Sequence, residues 1–377
     1  MSLYSFNTGF IELFKEYGIK YPIVKAPMAR IDDTKLVSEV YLAGGLSFLS
    51  TGYKSYEDLE NDLKSIHELL KSHINPTNGL LPIGIAFMTF ALDSEFSSSP
   101  SSSNTLLHLT LSYKPLAIWF SFGDFSKYVP IVHSLSPHTK IFAQVQTIEQ
   151  AVHAYQNNAD VIVVQGNESG GHGLVNGAST LTLVPEAIDT LNQIYSSKDE
   201  NLKKPIILAA GGIIDGRGLA SILLLGGDGV VMGTRFIVCK ESAAHPDAKK
   251  IIINTSDGGR NTVRTQIFDK LRDKNGWPSQ WDGRAIKNKT VEENEKFDDD
   301  DEKVGEKKKV YKEAILGKDY SRAVIYAGAG IGLIHSESST KEILENTAKV
   351  AIETIERAYN TVIPKANIQK SKNYSSN

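Results

Sequence analysis

Asp160-Val161-Ile162-Val163-Val164-Gln165-Gly166-Asn167-Glu168-Ser169-Gly170-Gly171-His172-Gly173 joins an uninterrupted apolar run to a glycine-rich turn that carries one imidazole. The run reads as a buried strand, and its loss of side chains at the end suits a place where backbone approaches a ligand closely. His172 then stands where a base could wait beside that ligand.

Two later segments repeat the design. Pro205-Ile206-Ile207-Leu208-Ala209-Ala210-Gly211-Gly212 is again a short apolar strand ending in glycine, followed by a helical pattern from about Gly218 to Leu225. Gly229-Val230-Val231-Met232-Gly233-Thr234-Arg235 follows closely, its strand end adding a hydroxyl. Bare backbone N–H groups at successive strand ends make a phosphate cradle, and an anion gains roughly 0.3–1 kcal/mol from each nearby helix N-terminus. A single glycine pair is ordinary turn chemistry; three in order point to the cradle. The chain has no GxGxxG after its first strand and no GxxxxGK[ST], which weakens Rossmann and P-loop readings.

Working outward, strands are expected near Ile23–Ala26, Leu46–Leu49, Ile83–Phe87, Ala117–Phe120, Lys140–Gln144, Val161–Gln165, Ile206–Ala210 and Gly229–Met232. Helical spacing fills the intervals at Asp33–Ala43, Tyr56–Ser72, Ile148–Asn157, Leu183–Tyr195 and Gly218–Leu225. Eight strands with crossovers predict an α/β chain folded as a (β/α)8 TIM barrel over residues 1–239, with its ligand at the C-terminal strand ends and phosphate after the seventh and eighth. Residues 240–318 lack a clear period and read as a smaller, partly helical lobe whose Glu292–Lys309 charge run forms a solvated acidic loop. A helical pattern at Ser339–Tyr359 places 319–363 back on the barrel, and 364–377 reads as a disordered tail. Ser97–Ser103 reads as a flexible surface loop.

With 377 residues the chain can bury a full core. Its net charge of −3 supplies no basic field for nucleic acid. One cysteine, Cys239, excludes a disulfide framework, fits a reducing cytoplasmic compartment and reads as a buried apolar residue rather than a metal ligand. No apolar run reaches membrane-spanning length, so no membrane span is expected.

The first strand ends in Ala26-Pro27-Met28, an uncharged turn with soft apolar surface. An apolar edge there and a phosphate cradle opposite suit a cofactor with a flat ring at one end and phosphate at the other, and FMN fits best. Gln144 and Gln165, ending the fifth and sixth strands, either bond the ribityl chain or ring edge or simply cap the barrel. No cysteine, serine or carboxylate motif makes His172 part of a hydrolase triad, so its expected work is general base on a carbon acid, worth about 10²–10⁴-fold.

Ala26-Pro27-Met28, Ala43-Gly44-Gly45, Pro82–Phe87, Asp160–His172, Ala209–Gly218 and Gly229–Phe236 together resemble, in order, the motifs of the nitronate monooxygenases, especially the fungal type. The resemblance implies an FMN-bound barrel, with no bound metal, that oxidises alkyl nitronates with dioxygen to carbonyl compounds and nitrite. It gives His172 the role of catalytic base towards neutral nitroalkanes. It assigns FMN phosphate contacts to Gly170, Gly171, Gly211, Gly212, Gly233 and Thr234, and flavin-ring contacts to Ala26, Pro27 and Met28. The implied partners are a small nitronate or nitroalkane and O2, with a homodimer left open. Three departures bear on substrate range: Ser169 before Gly-Gly-His where alanine is common, Ala86 in place of a polar residue on the third strand, and Lys25 before Ala-Pro-Met. The rival readings are an FMN-dependent NAD(P)H reductase of the enoyl-thioester or quinone type on the same barrel, and a non-catalytic flavin-binding protein.

Overall fold

The computed structural model describes residues 5–98, 105–196, 203–272, 276–294 and 303–362. Asp298–Asp301, the tail from Pro364 and most of Ser97–Ser103 lie outside these residues. The eight strands read from the sequence close into a parallel barrel: β1 (Ile23–Lys25), β2 (Leu46–Ser50), β3 (Leu81–Met88), β4 (Pro115–Ser121), β5 (Lys140–Val145), β6 (Val161–Gln165), β8 (Ile207–Ala210) and β9 (Gly229–Met232). A further strand, β7 (Gly171–Leu174), lies between β6 and β8 in the chain but outside the barrel. Closure is made by β9 pairing back to β1, with Ile23, Val24 and Lys25 opposite Val230, Val231 and Met232. The unbroken apolar runs follow from this geometry. Strands β2, β4, β6, β8 and β9 are buried at every position, one face towards the barrel interior and the other towards the helices.

Each helix start sits just past its strand. Asp33, Ser55, Thr147 and Asp215 cap the helices after β1, β2, β5 and β8 by accepting backbone N–H groups of the first turn. The barrel interior is filled by aromatic rings. Trp119 stacks on Phe142 with centroids 5.9 Å apart, and Phe48 packs against them at 5.0 and 4.9 Å. Gly84 on β3 makes the room, because a Cβ there would come within 2.1 Å of the Phe48 ring. The N-terminal helix Gly9–Phe14 closes the lower end: Phe14 lies 5.9 Å from Phe142, and the Gly9 N–H donates to Asp228, just before β9, at 2.9 Å. The C-terminal strand ends remain as the open face.

The stretch 240–318 holds more than helix. Strands β10 (Thr262–Thr265) and β11 (Trp281–Ile286) join β7 in an antiparallel sheet of order β10-β11-β7, with His172 opposite Gly283. The sequence reading places Gly171 and His172 in a glycine-rich turn, and this is a correction: both lie on β7. Gly-His-Gly-Leu lacks the β-branched or alternating residues that announce a strand, and backbone pairing to β11 makes it one. Ile267, Phe268, Leu271, Ala285 and Tyr311 form a small core beneath this sheet. The C-terminal helix Thr340–Val362 lies against helix Gly216–Leu224, so closely that a Cβ on Gly216 would meet the Thr347 carbonyl at 2.3 Å. Among the described residues, no helix is long and apolar enough to cross a membrane.

Candidate active site

A cavity of about 640 Å³ opens at the C-terminal strand ends, roofed by the lobe. It brings together every site residue expected from the sequence: Ala26, Pro27 and Met28 after β1, Gln144 and Gln165 at the ends of β5 and β6, Gly170, Gly171 and His172 at β7, Gly211 and Gly212 after β8, and Gly233 and Thr234 after β9.

The Ala-Pro-Met wall is anchored from below by a charge pair. Lys25 is fully buried, and its Nζ donates to Asp32 Oδ1 at 2.5 Å and to the Phe48 carbonyl at 2.6 Å. The other Asp32 oxygen accepts the N–H of Met28 at 2.6 Å and that of Ser50 at 3.1 Å. Asp32 thus ties the turn after β1 to the end of β2, and Lys25 balances its charge. Burial pushes the Lys25 ammonium down and the Asp32 carboxyl up from their ordinary values, and the pairing opposes both. The lysine that departs from the family pattern is therefore a structural strut beneath the site.

The glycines divide into two kinds. At Gly171 a Cβ would meet nothing within 4 Å, and at Gly233 only Ala26 Cβ at 3.7 Å and Met28 Sδ at 3.9 Å, so both border open cavity. At Gly170, by contrast, a Cβ would come within 2.5 Å of the Ala327 and Gly328 backbone, and at Gly211 within 2.7 and 2.9 Å of the Thr180 and Ser169 hydroxyls. Their missing side chains serve protein packing, which adds a reason that ligand approach alone does not supply. Gly211 and Gly212 also have φ of +115° and +70°, so a side chain at either is strained. Among the described residues the N–H groups of Gly211, Gly212 and Gly233 find no protein acceptor. The Ser169 hydroxyl beside them is buried without a partner. Thr234 Oγ accepts from the Gly328 N–H at 3.0 Å and keeps its own proton to donate.

Glu168 holds this turn in place, its oxygens accepting from Ser179 Oγ, Thr180 N and Thr180 Oγ at 2.8–2.9 Å. The two glutamines bond each other, Gln144 Nε2 donating to Gln165 Oε1 at 2.8 Å, and Gln165 reaches the His172 carbonyl at 3.3 Å.

His172 is enclosed by groups from the lobe. Its Nε2 lies 2.8 Å from Asp269 Oδ2, the two side chains being 8% and 3% exposed. The Trp277 indole stacks on the imidazole with centroids 3.5 Å apart and planes 2° from parallel, and its Nε1 donates to the Tyr53 hydroxyl at 3.0 Å. Phe90 and Phe122 pack on Trp277 at 5.0 and 4.9 Å, giving the mouth an aromatic wall. Tyr326 lies 5.3 Å from the imidazole, and burial holds its phenol far above the ordinary range. Cys239 is buried, its thiol pushed up to about 11 chiefly by that burial.

Asp269, Trp277, Tyr326 and Ser169 were not read as site residues from the sequence. Trp277 lies in the aperiodic 240–318 stretch, and its ring covers the histidine. Asp269 has no local signal, lying 97 residues from His172 with no spacing rule to connect them.

Comparison with known proteins agrees with this geometry. Over 360 residues the chain is 31% identical to a nitronate monooxygenase of Neurospora crassa, covering 89% of this chain and 90% of that protein. It is 34% identical over 347 residues to the nitronate monooxygenase npaC of Metarhizium robertsii, covering 86% and 89%. Among solved structures, FabK from Thermotoga maritima matches with a TM-score of 0.73 and 25% identity over 95% of this chain and all of that one. A nitroalkane oxidase from Streptomyces ansochromogenes shares the fold with a TM-score of 0.68 and 21% identity, over 90% of this chain and 98% of that one. The family model for nitronate monooxygenase spans residues 12–349, barrel and lobe together, so the chain belongs to that family of oxidoreductases.

Proposed function

We propose that this protein binds FMN in the barrel mouth and oxidises alkyl nitronates with dioxygen to carbonyl compounds and nitrite, and that His172 extends the reaction to neutral nitroalkanes. One observation carries the reading. In a member of this family, a single cavity joins unpaired backbone donors after β8 and β9, an apolar wall after β1 and a carboxylate-paired imidazole.

The residues present fit the cofactor. Gly211, Gly212, Gly233 and Thr234 would hold the phosphate, where unpaired N–H groups, a free hydroxyl proton and the buried Ser169 hydroxyl all lack a protein acceptor. Ala26, Pro27 and Met28 would flank the ring, with Gln144 and Gln165 at its polar edge. Gly171 leaves room beside them, and Gly170 contributes by packing. When bound, FMN supplies the redox centre, taking an electron from the nitronate and passing it to dioxygen.

The chain's own work is orientation and proton transfer. A neutral nitroalkane must lose an α-proton before it can react, and His172 is the base within the cavity. An anionic nitronate needs no such step. The aromatic wall of Trp277, Phe90 and Phe122 favours substrates with an apolar substituent and displaces water from the base.

The test uses the purified yellow protein with propyl-2-nitronate and nitroethane, following nitrite and NAD(P)H together, with His172→Asn beside wild type. We expect nitronate turnover and nitrite release without NAD(P)H. In the variant, nitroethane activity should fall by about 10²–10⁴-fold while nitronate activity persists. A flavin that nitronate fails to reduce and NAD(P)H reduces rapidly would move the protein to the reductase reading. A variant equal to wild type would remove the base.

A further inference from the structure

The pairing of His172 with Asp269 joins the strand after β6 to the lobe. His172 sits on β7 and Asp269 in the one-turn helix Ile267–Lys270. Asp269 divides its oxygens, Oδ2 towards His172 Nε2 at 2.8 Å and Oδ1 towards Arg272 Nη1 at 3.2 Å. Both members of the pair are shielded from water. Among the described residues the hydrogen-bond partner of the His172 ring is Asp269. Trp277 covers one face, Tyr326 packs at 5.3 Å, and Gly283 stands opposite on β11 with no side chain. Arg264 and Asp282, flanking on the sheet, are paired with each other, and the Tyr53 hydroxyl accepts from Trp277 Nε1.

An ionised carboxylate only accepts hydrogen bonds, so the imidazole nitrogen beside it must carry the proton. Nδ1 then holds the lone pair. Arg272 Nη1 donates to the other Asp269 oxygen at 3.2 Å, so the carboxylate is held between a guanidinium and the imidazole and accepts from Nε2.

We propose that Asp269 is the positioning residue of the base, fixing the His172 proton on Nε2 and leaving Nδ1 as the atom that removes the substrate proton. This rests on the reading of His172 as base towards nitroalkanes. In the step, the α C–H bond breaks, its electron pair stays on the substrate as the nitronate anion, and the proton bonds to Nδ1. The imidazolium so formed keeps its Nε2–H on Asp269, and its charge is balanced by the carboxylate while the new anion lies beside it.

Asp269→Asn in the full-length, flavin-loaded protein is the test, with ring-15N-histidine NMR and steady-state kinetics on nitroethane and propyl-2-nitronate across pH. Wild type should show His172 as the Nε2–H form. The variant should lose that preference and about 10²–10⁴-fold in nitroethane kcat/KM, the range a general base contributes and an orienting carboxylate secures. Its nitroethane profile should rise at lower pH than wild type, because the imidazolium has lost its counter-charge. Propyl-2-nitronate turnover should stay within about a factor of two, since that substrate has no proton for a base to remove. Asp269→Glu, which restores a carboxylate, should recover part of the nitroethane loss.

Parallel loss on both substrates, an unmoved pH profile, or wild-type His172 protonated on Nδ1 would overturn the proposal. The spectrum reports the tautomer whether or not nitronates are turned over. Failure of this assignment is therefore distinguishable from failure of the proposed reaction.

Discussion

Lys25→Met gives a demanding test of how the site is supported. Methionine fills most of the lysine's volume, so the change removes charge with little cavity. Asp32 would keep its bonds to the Met28 and Ser50 N–H groups but lose the ammonium at 2.5 Å, and the Phe48 carbonyl would lose its donor at 2.6 Å. Breaking one side of a buried pair costs about 3–5 kcal/mol, and the two remaining N–H donors place this case near 3. Urea unfolding followed by tryptophan fluorescence and flavin release measures the loss as a lower midpoint at unchanged slope. The pH dependence adds a second check. Burial raises the Asp32 pKa in the fold, so the folded state binds more protons than the unfolded one between the unfolded value of about 3.9 and the folded value. Stability of the variant therefore falls as pH rises through that window, and its deficit against wild type shrinks as pH is lowered towards it. Because Asp32 holds the Met28 N–H, flavin should also leave at lower denaturant than in wild type. A deficit under about 1 kcal/mol at neutral pH, the scale of a solvent-exposed pair, would refute the assignment of Lys25 as a buried strut.

The glycines separate packing from cofactor space. Gly170→Ala drives a Cβ into Ala327 and Gly328, so it should destabilise the fold by about 1–3 kcal/mol as overpacking does, read by the same denaturation assay. Gly233→Ala, whose φ of −105° any residue adopts and whose Cβ would enter open cavity, should leave unfolding unchanged and weaken FMN retention on dialysis. Trp277→Ala uncovers one face of His172 and removes the indole N–H from Tyr53. It should raise KM for nitronates with bulky apolar substituents more than for the smallest ones, and equal effects across a chain-length series would count against the aromatic wall.

The barrel was legible because its strands are buried on both sides. Val161–Gln165 and Gly229–Met232 fall where the apolar runs end, and every glycine turn expected at the cavity is there. The lobe sheet was not. β7 holds no apolar alternation, and its partner β11 lies more than a hundred residues on, so only tertiary pairing reveals it. For the same reason His172 could be read as a base but not with its partner. Asp269 is an ordinary acidic residue in a four-residue helix, and nothing local to it distinguishes it from a surface carboxylate. Lys25 could be seen as a departure from the family pattern, yet its pairing with Asp32 seven residues away is set by the turn between them. Gly170 and Gly211 line the cavity where the sequence reading put them, but the close contacts a Cβ there would make come from Ala327, Gly328 and Thr180, which sequence proximity does not connect to them.

Because β7 belongs to the sheet of β10 and β11 rather than to the barrel, the proposed base His172 rides on a different sheet from the proposed cofactor cradle. On that proposal the two halves of the chemistry are modular. Changes within the lobe can retune preference between acids and their anions while the redox platform is left alone. A chimera carrying another family member's lobe on this barrel, with β7 exchanged alongside β10 and β11, should inherit the donor's preference between nitroalkane and nitronate while keeping this barrel's hold on its flavin.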